Sequence, residues 1–217
     1  MPKLKHADLR SQIIEGCLRI KQQGLVIGTA GNISVRVEGG LLVTPTGVSY
    51  EDLIPEQIVE MRWDGTFDGD ILPTSEWRFH RDILASRDDL NAVVHTHSRN
   101  ATAVSILEKD IPAIHYTIAG AGGADIRCAG YATFGTQELS DLALTALEDR
   151  RACLLAHHGV IAGHATLDKA LFLAQVVEEL AALYITCLST GTVPVLSQED
   201  IDVVLEKYKS YGQQKAG

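Results

Sequence analysis

Residues 91–98 read NAVVHTHS: three apolar residues in a row, then His95, Thr96 and His97. The run has the length of a buried strand, and in an extended strand residues i and i+2 point to the same face. His95 and His97 therefore converge on one point at the strand's end. Neutral imidazole is a common zinc donor, so an H-x-H pair in this position is a metal-ligand pattern. A catalytic zinc site commonly takes three protein ligands and keeps a position open. His157 and His158 sit in the same kind of place, where the apolar run 152–156 ends before Gly159. The other histidines are less suited: His6 lies near the terminus, His80 in a helix, His115 before a strand end and His164 in a loop.

Working outward from that strand, helical spacing of Leu9, Ile13, Ile14, Cys17 and Leu18 predicts a helix over 7–23 that stops before Gly24. Residues 33–37 and 41–43 are β-type runs around Glu38-Gly39-Gly40, which reads as a hairpin, and 58–61 is a third strand closed by Asp64-Gly65. Pro73, Thr74 and Ser75 precede a helix predicted over 76–87, with Glu76 in its first turn. Beyond the central strand 92–97 come a helix over 100–107, a strand over 113–116, a helix over 136–150 and a buried strand over 152–156. Helical patterns over 167–188 and 198–208 follow. There is no internal repeat, no linker and no shift in composition, which predicts a single α/β domain across 1–217, with 208–217 as a mobile tail.

Composition narrows the function classes. The chain has 217 residues, 46% of them hydrophobic and 22% charged, as in a globular protein able to bury a full core. A formal charge of −9 gives no long-range basic field, so nucleic acid and acidic membrane surfaces are not expected partners. An anionic substrate would need local positive potential. The four cysteines, Cys17, Cys128, Cys153 and Cys187, form no C-x-x-C pair, which argues against a zinc ribbon or a disulfide framework and for a reducing, cytoplasmic setting. The first residues, MPKLKHADLRSQ, carry no apolar signal-type core, and no uninterrupted apolar run approaches membrane-spanning length.

Two further groups of residues carry chemistry. Glu76, at a helix start, reads either as a partner of the helix dipole or as a metal ligand or general base, depending on whether the fold brings it to His95 and His97. GTAGNIS at 28–34, TPTG at 44–47 and PTSE at 73–76 are three turns rich in glycine, hydroxyl and amide groups. Backbone N–H groups in such turns and at helix N-termini can cradle a phosphate without a lysine, although the same residues are also simple turn formers. Tyr116 reads as a proton donor or as a core aromatic with a wet tip. Tyr131 and Phe134, in GYATFG, would line a pocket or fill a core, and the last stretch, EKYKSYGQQKAG, reads as a frayed tail or a flap.

Taken together, GTAGNISVR, LLVTPTGVSYEDL, PTSEWRFH, NAVVHTHS, IPAIHYTIAGAGG, GYATFGTQELS, LLAHHGVIA and VPVLSQEDIDVVLEKYKSYG resemble the class II aldolase/adducin family nearly end to end. The likeness is greatest to members that cleave L-fuculose 1-phosphate. It implies a three-layer α/β fold with a central, mostly antiparallel sheet flanked by helices. It also implies Zn2+, with Mn2+ or Co2+ as substitutes, held by His95, His97 and His158 with Glu76 as a fourth group able to leave the metal. Gly28, Thr29, Asn32, Thr46, Gly47, Thr74 and Ser75 would surround the phosphate of a phosphorylated sugar, and Phe134 and the tail would face the aldehyde. Glu76 would move the proton at C3, and Tyr116 and Tyr211 would reach the site of a neighbouring subunit in a homotetramer, Tyr116 serving O4. The products would be dihydroxyacetone phosphate and an aldehyde such as L-lactaldehyde.

Gly24-Leu25-Val26-Ile27 and the sparsely charged end of the tail depart from the fuculose pattern. They leave 5-deoxyribulose 1-phosphate and 5-methylthioribulose 1-phosphate as alternative substrates. A ribulose-phosphate 4-epimerase would carry aspartate where this chain has Glu76. A methylthioribulose-1-phosphate dehydratase would share the histidines but lose water, and a non-enzymatic adducin-like binding domain would lack the metal ligands.

Overall fold

The apolar run beside the two histidines lies at the centre of one sheet in the computed structural model, which describes residues 4–212. In chain order the elements are α1 (Ala7–Gln22), β1 (Asn32–Val37), β2 (Gly40–Val43), β3 (Val59–Arg62), α2 (Trp77–Ser86), β4 (Ala92–Thr96) and α3 (Arg99–Ile106). They continue with β5 (Ile111–Pro112), β6 (Asp125–Ala129), α4 (Gln137–Ala146), β7 (Ala152–Leu155), β8 (Gly159–His164), α5 (Leu167–Leu188) and α6 (Gln198–Tyr208). The sheet has eight strands in the order β3-β2-β1-β4-β8-β7-β6-β5, and every neighbouring pair is antiparallel except β6 and β7. This is the mostly antiparallel α/β sheet flanked by helices that the sequence resemblance implies.

Strand alternation sorts β4 between two cores. Ala92 and Val94 face one with Ile13, Leu171, Ala174 and Val177, contributed by α1 and α5. Val93 faces the other with Phe79, Ile83, Leu139 and Ala143, contributed by α2 and α4. Three layers result, and β4 is buried on both faces. His95 continues the Val93 face, so the histidines open toward α2. α5 is long and apolar enough to cross a membrane by length and composition, yet in this fold Ala170, Ala174, Val177 and Ala181 are buried, and the helix packs on β4 and β8.

Several elements differ from their sequence expectation. The strand predicted over 113–116 is shorter and earlier, at Ile111–Pro112, and Tyr116–Ala121 instead forms a 3-10 helix entered through His115, whose Nδ1 accepts from the Thr117 amide. Two strands were not predicted. In β8 the glycines Gly159 and Gly163 interrupt the β-type pattern, and in β6 two charged residues mask it. His164 accordingly ends a strand rather than lying in a loop. The predicted helix over 136–150 ends at Ala146, with Leu147 as its C-cap and Asp149 in the left-handed region. All four cysteines are free. Half of the 208–217 tail, residues 213–217, lies outside the described residues.

Candidate metal centre and substrate cleft

His95 and His97 meet at the end of β4 as their spacing predicts. The third imidazole arrives by the β7–β8 hairpin, whose register pairs Leu155 with Gly159 and leaves residues 156–158 as the turn. His157 occupies the left-handed region at φ 55°, a conformation costly for a non-glycine residue, and this tight reversal brings His158 back toward β4. Gly159 permits the close approach: a Cβ there would lie 2.4 Å from the Thr96 carbonyl oxygen and 3.0 Å from the His97 ring. The rings of His95, His97 and His158 form a triangle with each pair of centroids 4.8 Å apart and each pair of planes nearly perpendicular.

Glu76 completes the cluster. It is the N-cap residue of α2 rather than part of its first turn, and its side chain makes no capping hydrogen bond. The carboxylate instead turns inward, with Oε2 3.2 Å from His95 Nε2 and Oε1 3.2 Å from His158 Nε2. Ligand atoms of Glu76, His95, His97 and His158 all lie within 4.8 Å of one another. Burial opposes the charge on Glu76, but the adjoining His95 and His158 imidazoles outweigh it and hold the carboxyl well below the usual range. Burial, then the charge of His95 and His158, pushes His97 down to about 3.

The hydrogen bonding of this cluster fits a bound cation. His95 Nδ1 lies 2.8 Å from the Val160 carbonyl, which can only accept, so in the neutral ring Nδ1 carries the hydrogen and Nε2 bears a lone pair. That lone pair faces His97 Nε2 at 2.9 Å and a carboxylate oxygen. Acceptors so placed repel one another unless a cation or proton lies between them. Glu76 Oε1 is buried and has no hydrogen-bond partner. Three imidazoles and a carboxylate are the donor chemistry of a catalytic zinc-type site, and the backbone carbonyl on His95 is the outer partner that orients such a ligand.

Beside the cluster opens a cleft of about 450 Å3. Thr29, Asn32, Thr46, Gly47, Thr74, Ser75, Glu76, His97, Phe134 and His158 line it, together with Tyr131 and His157. The three hydroxyl-rich turns are held edge to edge. The Thr44 amide donates to Ile33 O at 3.1 Å, the Thr74 amide to Thr44 O at 2.8 Å and the Thr46 amide to Leu72 O at 3.1 Å. A further loop is pinned over PTSE where Arg78 Nη1 donates to Gly135 O at 2.6 Å. Gly135 has φ 75°, and a Cβ there would meet Ser75 O at 2.7 Å. The described lining includes no lysine or arginine, so an anion in it would meet backbone N–H groups, hydroxyls and the N-terminus of α2.

Not every predicted residue faces this cleft. Gly28 shapes the first turn with φ 63° but does not line the cavity. Tyr116 and Tyr211 are exposed, at 51% and 86%, and do not line the cleft. They come together with Tyr208, whose ring is 6.2 Å from that of Tyr211 and whose hydroxyl is pushed up by burial and by both other tyrosines. His80, set aside as a metal ligand because it lies in a helix, is buried in α2 and hydrogen-bonded to Ser34 and Asn32. The signal was the spacing of Asn32 to Ser34 on a strand against Glu76 to His80 on a helix.

Comparison with known proteins shows the family. The family described as Class II Aldolase and Adducin N-terminal domain matches residues 11–185. An L-fuculose phosphate aldolase of Escherichia coli is 57% identical over 210 residues, covering 96% of this chain and 98% of its own. A 5-methylthioribulose-1-phosphate/5-deoxyribulose-1-phosphate aldolase of Rhodospirillum rubrum is 51% identical over 204 residues, covering 94% and 92%. Among solved structures, an L-fuculose 1-phosphate aldolase superposes with a TM-score of 0.92 at 36% identity, covering 96% of this chain and all of that one. With the match running through all three turns and every histidine of the cluster, the chain belongs to the class II aldolase and adducin N-terminal domain family.

Proposed function

We propose that the protein is a zinc-dependent aldolase that reversibly cleaves a ketose 1-phosphate of the L-fuculose 1-phosphate type into dihydroxyacetone phosphate and an aldehyde such as L-lactaldehyde. The observation that carries this reading is the meeting of Glu76, His95, His97 and His158 at one end of a cleft whose other wall is the three hydroxyl-rich turns. His95, His97 and His158 would hold the ion, with Glu76 as a displaceable fourth group. A divalent cation supplies Lewis-acid stabilisation of the negative charge that breaking the C3–C4 bond leaves on the ketose fragment.

The remaining steps belong to the chain. Thr29, Asn32, Thr46, Gly47, Thr74 and Ser75 bind the phosphate through backbone and side-chain donors, which places the bond to be broken near the histidines. Glu76 is held ionised, so it removes the C3 proton in condensation and returns it in cleavage. Tyr116 of a neighbouring subunit carries the proton of O4, and Phe134 packs against the departing aldehyde. The exposed grouping of Tyr116, Tyr208 and Tyr211, none of which lines the chain's own cleft, supports shared sites in a homotetramer. The absence of a basic field and the free cysteines support a cytoplasmic protein that acts on a small phosphorylated sugar.

A second reading, cleavage of 5-methylthioribulose or 5-deoxyribulose 1-phosphate, is favoured by the Rhodospirillum rubrum relative. Both readings share the same chemistry and differ in the aldehyde. Release of dihydroxyacetone phosphate from each of the three ketose 1-phosphates, compared by kcat/KM, tests the reaction and ranks the substrates. Water loss from methylthioribulose 1-phosphate without dihydroxyacetone phosphate would replace this proposal with the dehydratase.

A further inference from the structure

One face of β1 meets one face of α2 through four buried polar side chains. Strand alternation sends Asn32 and Ser34 to the α2 side, while Glu76 and His80, four apart, share the side of α2 turned toward them. His80 is fully buried, and its ring lies between the two strand residues. His80 Nδ1 is 2.7 Å from Ser34 Oγ, Nε2 bonds Asn32 Oδ1, and Asn32 Nδ2 is 2.8 Å from Glu76 Oε2.

The donor and acceptor roles follow from the carboxylate. An ionised Glu76 only accepts, so Asn32 must turn its NH2 group toward it and its carbonyl oxygen toward His80. His80 Nε2 must then carry the hydrogen, which leaves Nδ1 as the acceptor of the Ser34 hydroxyl. The Phe79 ring lies 4.7 Å from that of His80, and His80, Ser34, Asn32 and Glu76 are each no more than 5% exposed, so the four groups are shielded from water. Without His80, nothing on the far side of Asn32 selects its orientation, and a turned amide would set its oxygen against the Glu76 carboxylate.

We propose that His80 is a positioning residue that, through the fixed orientation of Asn32, holds Glu76 Oε2 in place and keeps Oε1 turned toward His158 in the histidine cluster. Its effect on turnover rests on the aldolase reading, whereas its effect on the carboxylate does not. Groups that orient a ligand from behind typically change affinity or activity by about 10- to 100-fold when removed.

The test uses the full chain and compares His80→Leu, His80→Gln, Asn32→Ala and the double variant His80→Leu/Asn32→Ala. Turnover is read on the zinc-loaded protein, and the visible absorption of the cobalt(II)-loaded protein reports the carboxylate independently of activity. His80→Leu is expected to lower kcat by roughly 10- to 100-fold, to change KM by less than about threefold and to alter the cobalt spectrum. His80→Gln, whose amide can donate to Asn32 Oδ1, is expected to recover most of both. In the Asn32→Ala background the His80 substitution is expected to have almost no effect, because its route is gone.

Equal and additive losses in both backgrounds, or a glutamine variant no better than leucine, would overturn the proposal. Nitrogen-15 NMR of histidine-labelled wild type tests the same relay should His80→Leu fail to fold: it expects hydrogen on Nε2 and not on Nδ1, and the opposite tautomer or a doubly protonated ring would overturn it. If the wild type releases no dihydroxyacetone phosphate, the aldolase reading fails, while the cobalt spectra and the NMR tautomer still decide the role of His80.

Discussion

Glu76 stands at the N-terminus of a helix yet gives its carboxylate to the histidines rather than to the free N–H groups of α2. His95 and His158 keep the group ionised against its burial, so Glu76→Gln is expected to retain bound metal and lose turnover by about a hundredfold or more. Undiminished turnover with metal in place would remove Glu76 from the proton transfer. His95→Ala or His158→Ala should lose bound metal and activity together, measured by metal analysis and product release. His80 gives a pH prediction. Burial pushes its imidazole down to about 3, whereas the unfolded side chain titrates near 6.5. Between those values the unfolded chain binds a proton that the native chain does not, so acid lowers stability, by about tenfold in the folding equilibrium per pH unit. His80→Gln lacks this contribution, and its stability gap to wild type in urea unfolding should narrow from pH 7 to pH 5; a constant gap would contradict the burial argument. At this scale the H-x-H pair was legible because strand alternation alone makes it converge. Glu76 stood out at its helix start with its role left open, and the role of His80 was not legible, since both depend on how α2 lies on β1.

At the scale of elements, the site depends on how closely β8 approaches β4. Gly159→Ala puts a Cβ against the Thr96 carbonyl and the His97 ring, and overpacking of this kind typically costs about 1–3 kcal/mol. The variant should unfold at lower denaturant and bind zinc more weakly in chelator competition, because the strain falls on the turn that delivers His158. Weakened folding with unchanged metal affinity would show that the hairpin does not set the ligand geometry. The central strand, the β1–β2 hairpin and the long helix α5 follow directly from hydrophobic periodicity. β8 escaped because the two glycines that let it pack tightly are also the residues that weaken a strand pattern. The strand expected over 113–116 failed for the opposite reason: its apolar residues were real, but Ala113 and Ile114 enter core packing from a loop and His115 turns the chain into a 3-10 helix.

The whole molecule raises the question of where Tyr116 and Tyr211 act, since both lie outside the cleft of their own chain. Shared sites predict complementation. Mixing a metal-site variant, His95→Ala, with Tyr116→Phe should restore part of the activity that each homomer lacks, after dissociation and reassembly together. No recovery, in mixtures shown to contain both chains, would place each tyrosine with its own histidines. Nothing in one chain's sequence can show such an arrangement, because spacing and periodicity speak only of a single fold. The most direct test of the central claim is dihydroxyacetone phosphate release from L-fuculose 1-phosphate, 5-deoxyribulose 1-phosphate and 5-methylthioribulose 1-phosphate, each with chelator-treated and zinc-restored protein. Zinc-restored protein should release it from at least one of the three and chelated protein from none. Zinc-loaded protein that releases it from none, or release that survives full removal of metal, would contradict the account.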